Sequence, residues 1–174
     1  MKTKSIAAFF DFDGTLYNGV VAFDFLKYLF KNKILSLTDT LRVLKFLYYY
    51  ALDEFGLADR HNINIKVYQK ISGWDSKLLE TNSKNFFKSE IRKKLMPRIV
   101  EILKKHKGKN HKVVIVTSAL KEIMQPLEHF IKLNEVIATE VETKDGKYTK
   151  RILKLPVGKN RAAIVKEYCK VHNI

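Results

Sequence analysis

Strand-like and helix-like patterns of apolar residues alternate along this chain. Ile6-Ala7-Ala8-Phe9-Phe10 is an unbroken apolar run of strand length, the form a strand takes when both faces of a parallel sheet are covered. It stops at Asp11-Phe12-Asp13-Gly14-Thr15, and an Asn18-Gly19 turn signal follows. From Val20 to about Phe55 the apolar positions recur at helical spacing. Phe23, Leu26, Tyr28, Leu29 and Phe30 make one predicted face, and Leu41, Leu44, Phe46, Leu47 and Tyr48 another. Further helices are predicted from Asn64 to Ile71, ended by Ser72-Gly73, and from about Ser76 to Phe87. The Tyr48-Tyr49-Tyr50 run reads as core packing.

Strands return after Pro97, which suits the first turn of a helix ending near Gly108. Lys112-Val113-Val114-Ile115-Val116 is a second buried strand, ending in Thr117-Ser118. A helix from about Leu120 to Phe130 follows, with a kink or break predicted at Pro126. Val136 to Glu142 and Lys147 to Ile152 flank Asp145-Gly146, a strong hairpin signal. A last helix runs from Asn160 or Arg161 to Cys169. These elements predict an α/β fold, a doubly wound, Rossmann-like parallel sheet with a β-hairpin. Residues 1–18 plus 92–174 would form the core, and residues 19–91 a helical cap inserted after the first strand.

Ligands of open α/β sheets lie at the carboxyl ends of the strands. Asp11 and Asp13 follow the first strand directly, and alternation along an extended backbone points both to one face. Carboxylates so close repel unless a cation or a shared proton intervenes. Mg²⁺ takes oxygen ligands and keeps several waters, which leaves room for a phosphate. One carboxylate can then attack phosphorus while the other serves as general acid and base. Gly14 lets the backbone approach a phosphoryl group, and its amide can bind the oxygens.

Composition narrows the setting. At 174 residues and 46% hydrophobic content the chain can bury a core and is not disordered. The single cysteine excludes a disulfide framework and points to a reducing compartment. The apolar start is too short for a signal-peptide core, and Arg42 and Lys45 interrupt the most apolar later stretch, so the expected setting is cytoplasmic, without a transmembrane segment. The net charge of +15 gathers between Lys84 and Lys112, where only Glu90 and Glu101 oppose the basic residues. Such a field attracts anionic surfaces and phosphorylated metabolites. The basic residues are not interleaved with exposed-looking aromatics as a single-strand binder requires, which argues against nucleic acid.

Phe9-Phe10-Asp11-Phe12-Asp13-Gly14-Thr15-Leu16 resembles the first motif of the haloacid dehalogenase superfamily. The resemblance implies a phosphatase in which Asp11 is the nucleophile and Asp13 the general acid/base, both contributing to a Mg²⁺ site. Val113 to Thr117 is similar to the second motif, which implies that Thr117 binds phosphoryl oxygens with Ser118 in support. The helical insertion and the Asp145-Gly146 hairpin resemble the phosphoserine-phosphatase-like branch (subfamily IB). The third motif calls for a lysine at a helix start. Arg161 stands at the expected position and Lys159 two residues earlier, so either could bind the phosphate. The fourth motif, an acidic Gly-Asp segment, is expected beyond Ile174, which suggests a fragment of a longer protein or a natural truncation. The glutamate that recognises the phosphoserine amine in that branch has no counterpart in Tyr17-Asn18-Gly19-Val20-Val21, so the expected substrate is another small phosphate ester. Arg60 and Trp74 could contact its anionic or apolar part. A second reading is a catalytically impaired domain that binds phosphate compounds, a membrane surface or a partner without turnover.

Overall fold

The computed structural model describes residues 5–36, 38, 39, 41 and 60–174. The second predicted helical face from Leu44 to Tyr48, and the tyrosine run with it, lie outside the described residues, as does the side chain of Arg60. In chain order the described elements are β1 (Ala7–Phe10), α1 (Val21–Lys31), α2 (Arg60–Lys70), α3 (Ser76–Ser89) and a 3-10 turn (Ile91–Lys94). Then come α4 (Pro97–Gly108), β2 (Lys112–Leu120), α5 (Lys121–Ile131), β3 (Glu135–Lys144), β4 (Lys147–Lys154) and α6 (Gly158–Val171).

The strands form one sheet in the order β1-β2-β3-β4. β1, β2 and β3 are parallel, and β4 runs antiparallel to β3. Alternation along β2 separates two cores. Val113 and Ile115 point to the face packed by Leu103 of α4 and by Met124 and Leu127 of α5. Val114 and Val116 point to the other face, where Tyr168, Ile164 and Val165 of α6 cover them. Helices therefore lie on both faces, as expected of a doubly wound α/β sheet.

Several expectations shift in detail. β1 is half-buried along its length rather than covered throughout, because it stands first in the strand order and has one paired neighbour. Phe9 packs edge-on against Tyr168, and Phe10 against His106. α1 buries Val21, Phe25 and Leu29, while Phe30 is 65% exposed. At 100° per residue Phe30 lies well round the helix from Phe25, so an inclusive apolar face overstated the stripe. α5 runs unbroken through Pro126. α4 does end at Gly108, with Lys109 as its cap, although Asn110 rather than the glycine takes the left-handed conformation. The hairpin forms where expected, and both Asp145 (φ 51°) and Gly146 (φ 75°) are left-handed, the geometry of a tight two-residue turn. Its tip meets the helical insertion: Ser76 donates through its amide and hydroxyl to the Gly146 carbonyl, and Tyr148 exchanges backbone hydrogen bonds with Gly73 and Trp74.

Candidate functional site

The loop after β1 is built on a buried aromatic pair. Phe12 and Tyr17 are fully buried and stack at 5.3 Å, and the Phe12 carbonyl accepts from the amides of Thr15 and Tyr17. This folds the loop into a compact turn and leaves Asp11 and Asp13, on either side of Phe12, facing one cavity. The turn, rather than an extended strand, puts them on the same side. Gly14 has φ +69°, a conformation that side chains resist. Its amide is engaged with the carbonyls of Tyr17 and Gly19, so the anion-binding donor expected there is turned into the loop. Gly14 contributes the bend instead.

Tyr17 also anchors the loop from behind. Its hydroxyl donates to Asp24 Oδ2 at 2.7 Å, and the Lys94 ammonium donates to the same oxygen at 2.8 Å. Burial works against ionisation of Asp24, but those two donors outweigh it and hold its pKa below the ordinary value. The contact joins the chain leaving the sheet to the chain returning to it, since Asn18 also donates to the Lys94 carbonyl.

Two residues meet Asp11 directly. Its Oδ1 accepts from the Phe12 amide at 2.8 Å, and its Oδ2 accepts from Arg161 Nη1 at 2.9 Å. Arg161 Nε donates in turn to the Pro156 carbonyl, which fixes the guanidinium across the cavity mouth. Of the two basic residues at the start of α6, Arg161 reaches the carboxylates, while Lys159 is exposed and away from the lining. Asp13 Oδ1 accepts from the Val21 amide at 2.8 Å, at the N-terminus of α1. Burial nevertheless raises its pKa to about 6, the Val21 amide opposing the change and the neighbouring charge of Asp11 adding to it.

The opposite wall comes from a distortion in β2. Its pairing with β3 slips between Val116 and Leu120, so Thr117, Ser118 and Ala119 bulge from the ladder. Ser118 and Ala119 line the cavity. Thr117 is 1% exposed and is not part of the lining, and its hydroxyl oxygen accepts from the Ala119 amide at 3.1 Å. The Ser118 carbonyl accepts from the Thr139 hydroxyl at 2.7 Å and from the Tyr68 hydroxyl of α2. Tyr68, Val67, Asn64 and Ile63 of α2 close one side, and Val157 and Gly158 another. The cavity volume is about 460 Å³. The α2 residues were not singled out from the sequence, because nothing in a local pattern tells which helix faces a distant strand end. Among the described residues, no group of three or more His, Cys, Asp or Glu side chains stands poised to hold a metal ion. No described helix is long and apolar enough to cross a membrane.

Residues 8–174 match the haloacid dehalogenase-like hydrolase family. No curated protein matches the chain by sequence. Among solved structures, a protein of unknown function from Bordetella pertussis Tohama I aligns with a TM-score of 0.83 at 18% identity, over 97% of this chain and 76% of that one. A substrate-bound phosphoserine phosphatase aligns with a TM-score of 0.67 at 16% identity, over 100% and 74%. A HAD family hydrolase from Salmonella enterica aligns with a TM-score of 0.69 at 20% identity, over 98% of this chain and 52% of that chain. At these identities the likeness is one of fold.

Proposed function

The chain belongs to the haloacid dehalogenase-like hydrolase family, and from that premise we propose that it hydrolyses phosphate monoesters through an aspartyl-phosphate on Asp11. The observation that carries the reading is the meeting of Asp11, Asp13 and Arg161 in one cavity at the carboxyl end of β1. Arg161, passing from Asp11 to the substrate, would bind the phosphoryl oxygens together with Ser118. An Asp11 carboxylate oxygen forms the new bond to phosphorus as the bond from phosphorus to the ester oxygen breaks. Protonated Asp13 gives its proton to the departing oxygen. Water then attacks the phosphoryl group and passes a proton to Asp13, and inorganic phosphate leaves with the Asp11 carboxylate restored. A pKa of about 6 suits Asp13 to both directions of transfer near neutral pH.

Two carboxylates facing one cavity fit a divalent cation, and Asp11 and Asp13 would hold Mg²⁺ with waters completing its shell. When bound, it would supply electrostatic stabilisation of the phosphoryl charge. The cavity has no acidic residue among its described lining beyond Asp11 and Asp13, which supports a substrate other than phosphoserine. Anionic surface contact through the basic 84–112 stretch is a separate proposal. Several of its cations already make internal contacts: Lys84 with Glu80, Arg92 over the Phe130 ring, Lys94 with Asp24, Lys107 with two carbonyls and Lys112 with His172.

Hydrolysis of p-nitrophenyl phosphate, with and without Mg²⁺ and with Asp11→Asn as control, tests the reading. Mg²⁺-dependent turnover lost in Asp11→Asn is expected. Turnover retained in Asp11→Asn would remove the nucleophile. Binding of phosphate compounds with no turnover would favour a catalytically impaired domain.

A further inference from the structure

A second, smaller cavity, of about 60 Å³, adjoins the first. The two share Ala22, Val67 and Tyr68 as wall residues, so the second lies directly beside the space that a phosphate ester at Asp11 would enter. The chemistry changes across that shared wall. Beyond it, Phe25, Leu26, Ile71, Leu120 and Ile123 present hydrocarbon. The hydroxyl of Tyr68 is engaged with the Ser118 carbonyl. No carboxylate lies among the described lining residues, and the one charged side chain there, Lys70, is a cation. A substrate body bearing an ammonium would meet a like charge and no carboxylate among the described lining residues, and a polyhydroxylated body would find few polar partners among them to replace its water. A hydrocarbon body loses nothing and buries its surface.

We infer that this cavity is the leaving-group subsite, and that the substrates are phosphate monoesters of alcohols or phenols with an apolar body. The inference rests on the proposed phosphomonoester chemistry at Asp11 and names the substrate class of that same site. Trp74 also lines the cavity, where its side chain is 8% exposed.

Trp74 is also the single tryptophan of the chain, so its emission reports occupancy directly. The test titrates wild-type protein with cyclohexylmethylphosphonate and with methylphosphonate. These analogues bind whether or not turnover occurs. The inference expects the cyclohexyl compound to shift the Trp74 emission and to bind on the order of tenfold tighter or more, the usual discrimination of an apolar pocket. Equal affinities with no change in emission would overturn it. In parallel, kcat/KM is measured for phenyl phosphate and methyl phosphate in wild type and in Ile71→Phe and Leu26→Phe. Both positions are half-buried, and both substitutions fill the cavity. The phenyl-to-methyl ratio should fall about tenfold in each folded variant. An unchanged ratio in both would count against the subsite while leaving the hydrolase reading intact. Absence of all turnover with preferential cyclohexyl binding would fail the hydrolase reading and keep the apolar site.

Discussion

Asp13 is the group whose environment most clearly opposes its charge, and replacing it with asparagine should stabilise the protein. Asparagine keeps an oxygen able to accept from the Val21 amide while removing the buried charge next to Asp11. The native pKa of about 6 lies above the ordinary 3.8, so the folded state binds the Asp13 proton more tightly than the unfolded chain does. The stability this proton confers is fully present below pH 3.8 and is lost as pH rises through 6. At about 1.4 kcal/mol per pH unit, the ionised group costs about 3 kcal/mol above that range. Urea unfolding of wild type and Asp13→Asn in chelator, from pH 4 to pH 8, reads the difference. The variant should match wild type near pH 4, gain steadily to pH 6, and hold an advantage of up to about 3 kcal/mol beyond. Mg²⁺ should narrow the gap by stabilising the wild-type carboxylates. An advantage independent of pH, or a variant less stable than wild type at pH 8, would refute the reasoning.

Arg161→Ala should raise KM for a phosphate ester at least tenfold while changing stability by no more than about 1 kcal/mol, because its pair with Asp11 is partly exposed. Steady-state kinetics and urea unfolding separate the two effects. Tyr68→Phe removes one of the two hydroxyl donors to the Ser118 carbonyl; about 1 kcal/mol of stability and a severalfold loss of kcat/KM are expected. Tyr17→Phe leaves Asp24 with Lys94 and should cost about 1–2 kcal/mol at pH 7. Because the Asp24 pKa is lowered, the stability it supplies is present above 3.8 and falls away on acidification, so the loss from Tyr17→Phe should shrink in acid denaturation series. Gly146→Ala forces a side chain into a left-handed position of the hairpin turn and should cost about 1 kcal/mol, read from thermal unfolding.

What was legible in the chain was local. Asp11 and Asp13 are two residues apart after an apolar run, and a short turn suffices to present both. Asp145-Gly146 needs only its own backbone preference, and Val113 to Val116 only their hydrocarbon. The unread features depend on contacts between distant segments. Whether Arg161 or Lys159 faces Asp11 is a matter of helix phase and of the Pro156 carbonyl that holds the guanidinium. Tyr68 reaches Ser118 across 50 positions of sequence. The half-burial of β1 follows from its place in the strand order, which no property of Ala7 to Phe10 announces. Phe30 is as apolar as Phe25, and only the packing of α1 decides which one is covered.

The covalent role of Asp11 can be read directly by quenching the protein in acid during turnover of a phosphate monoester with Mg²⁺ and mapping its peptides by mass spectrometry. A phosphoryl adduct on the peptide carrying Asp11, absent from Asp11→Asn, is the predicted result. Turnover that proceeds with an adduct on another residue, or equally well in the variant, would contradict the account.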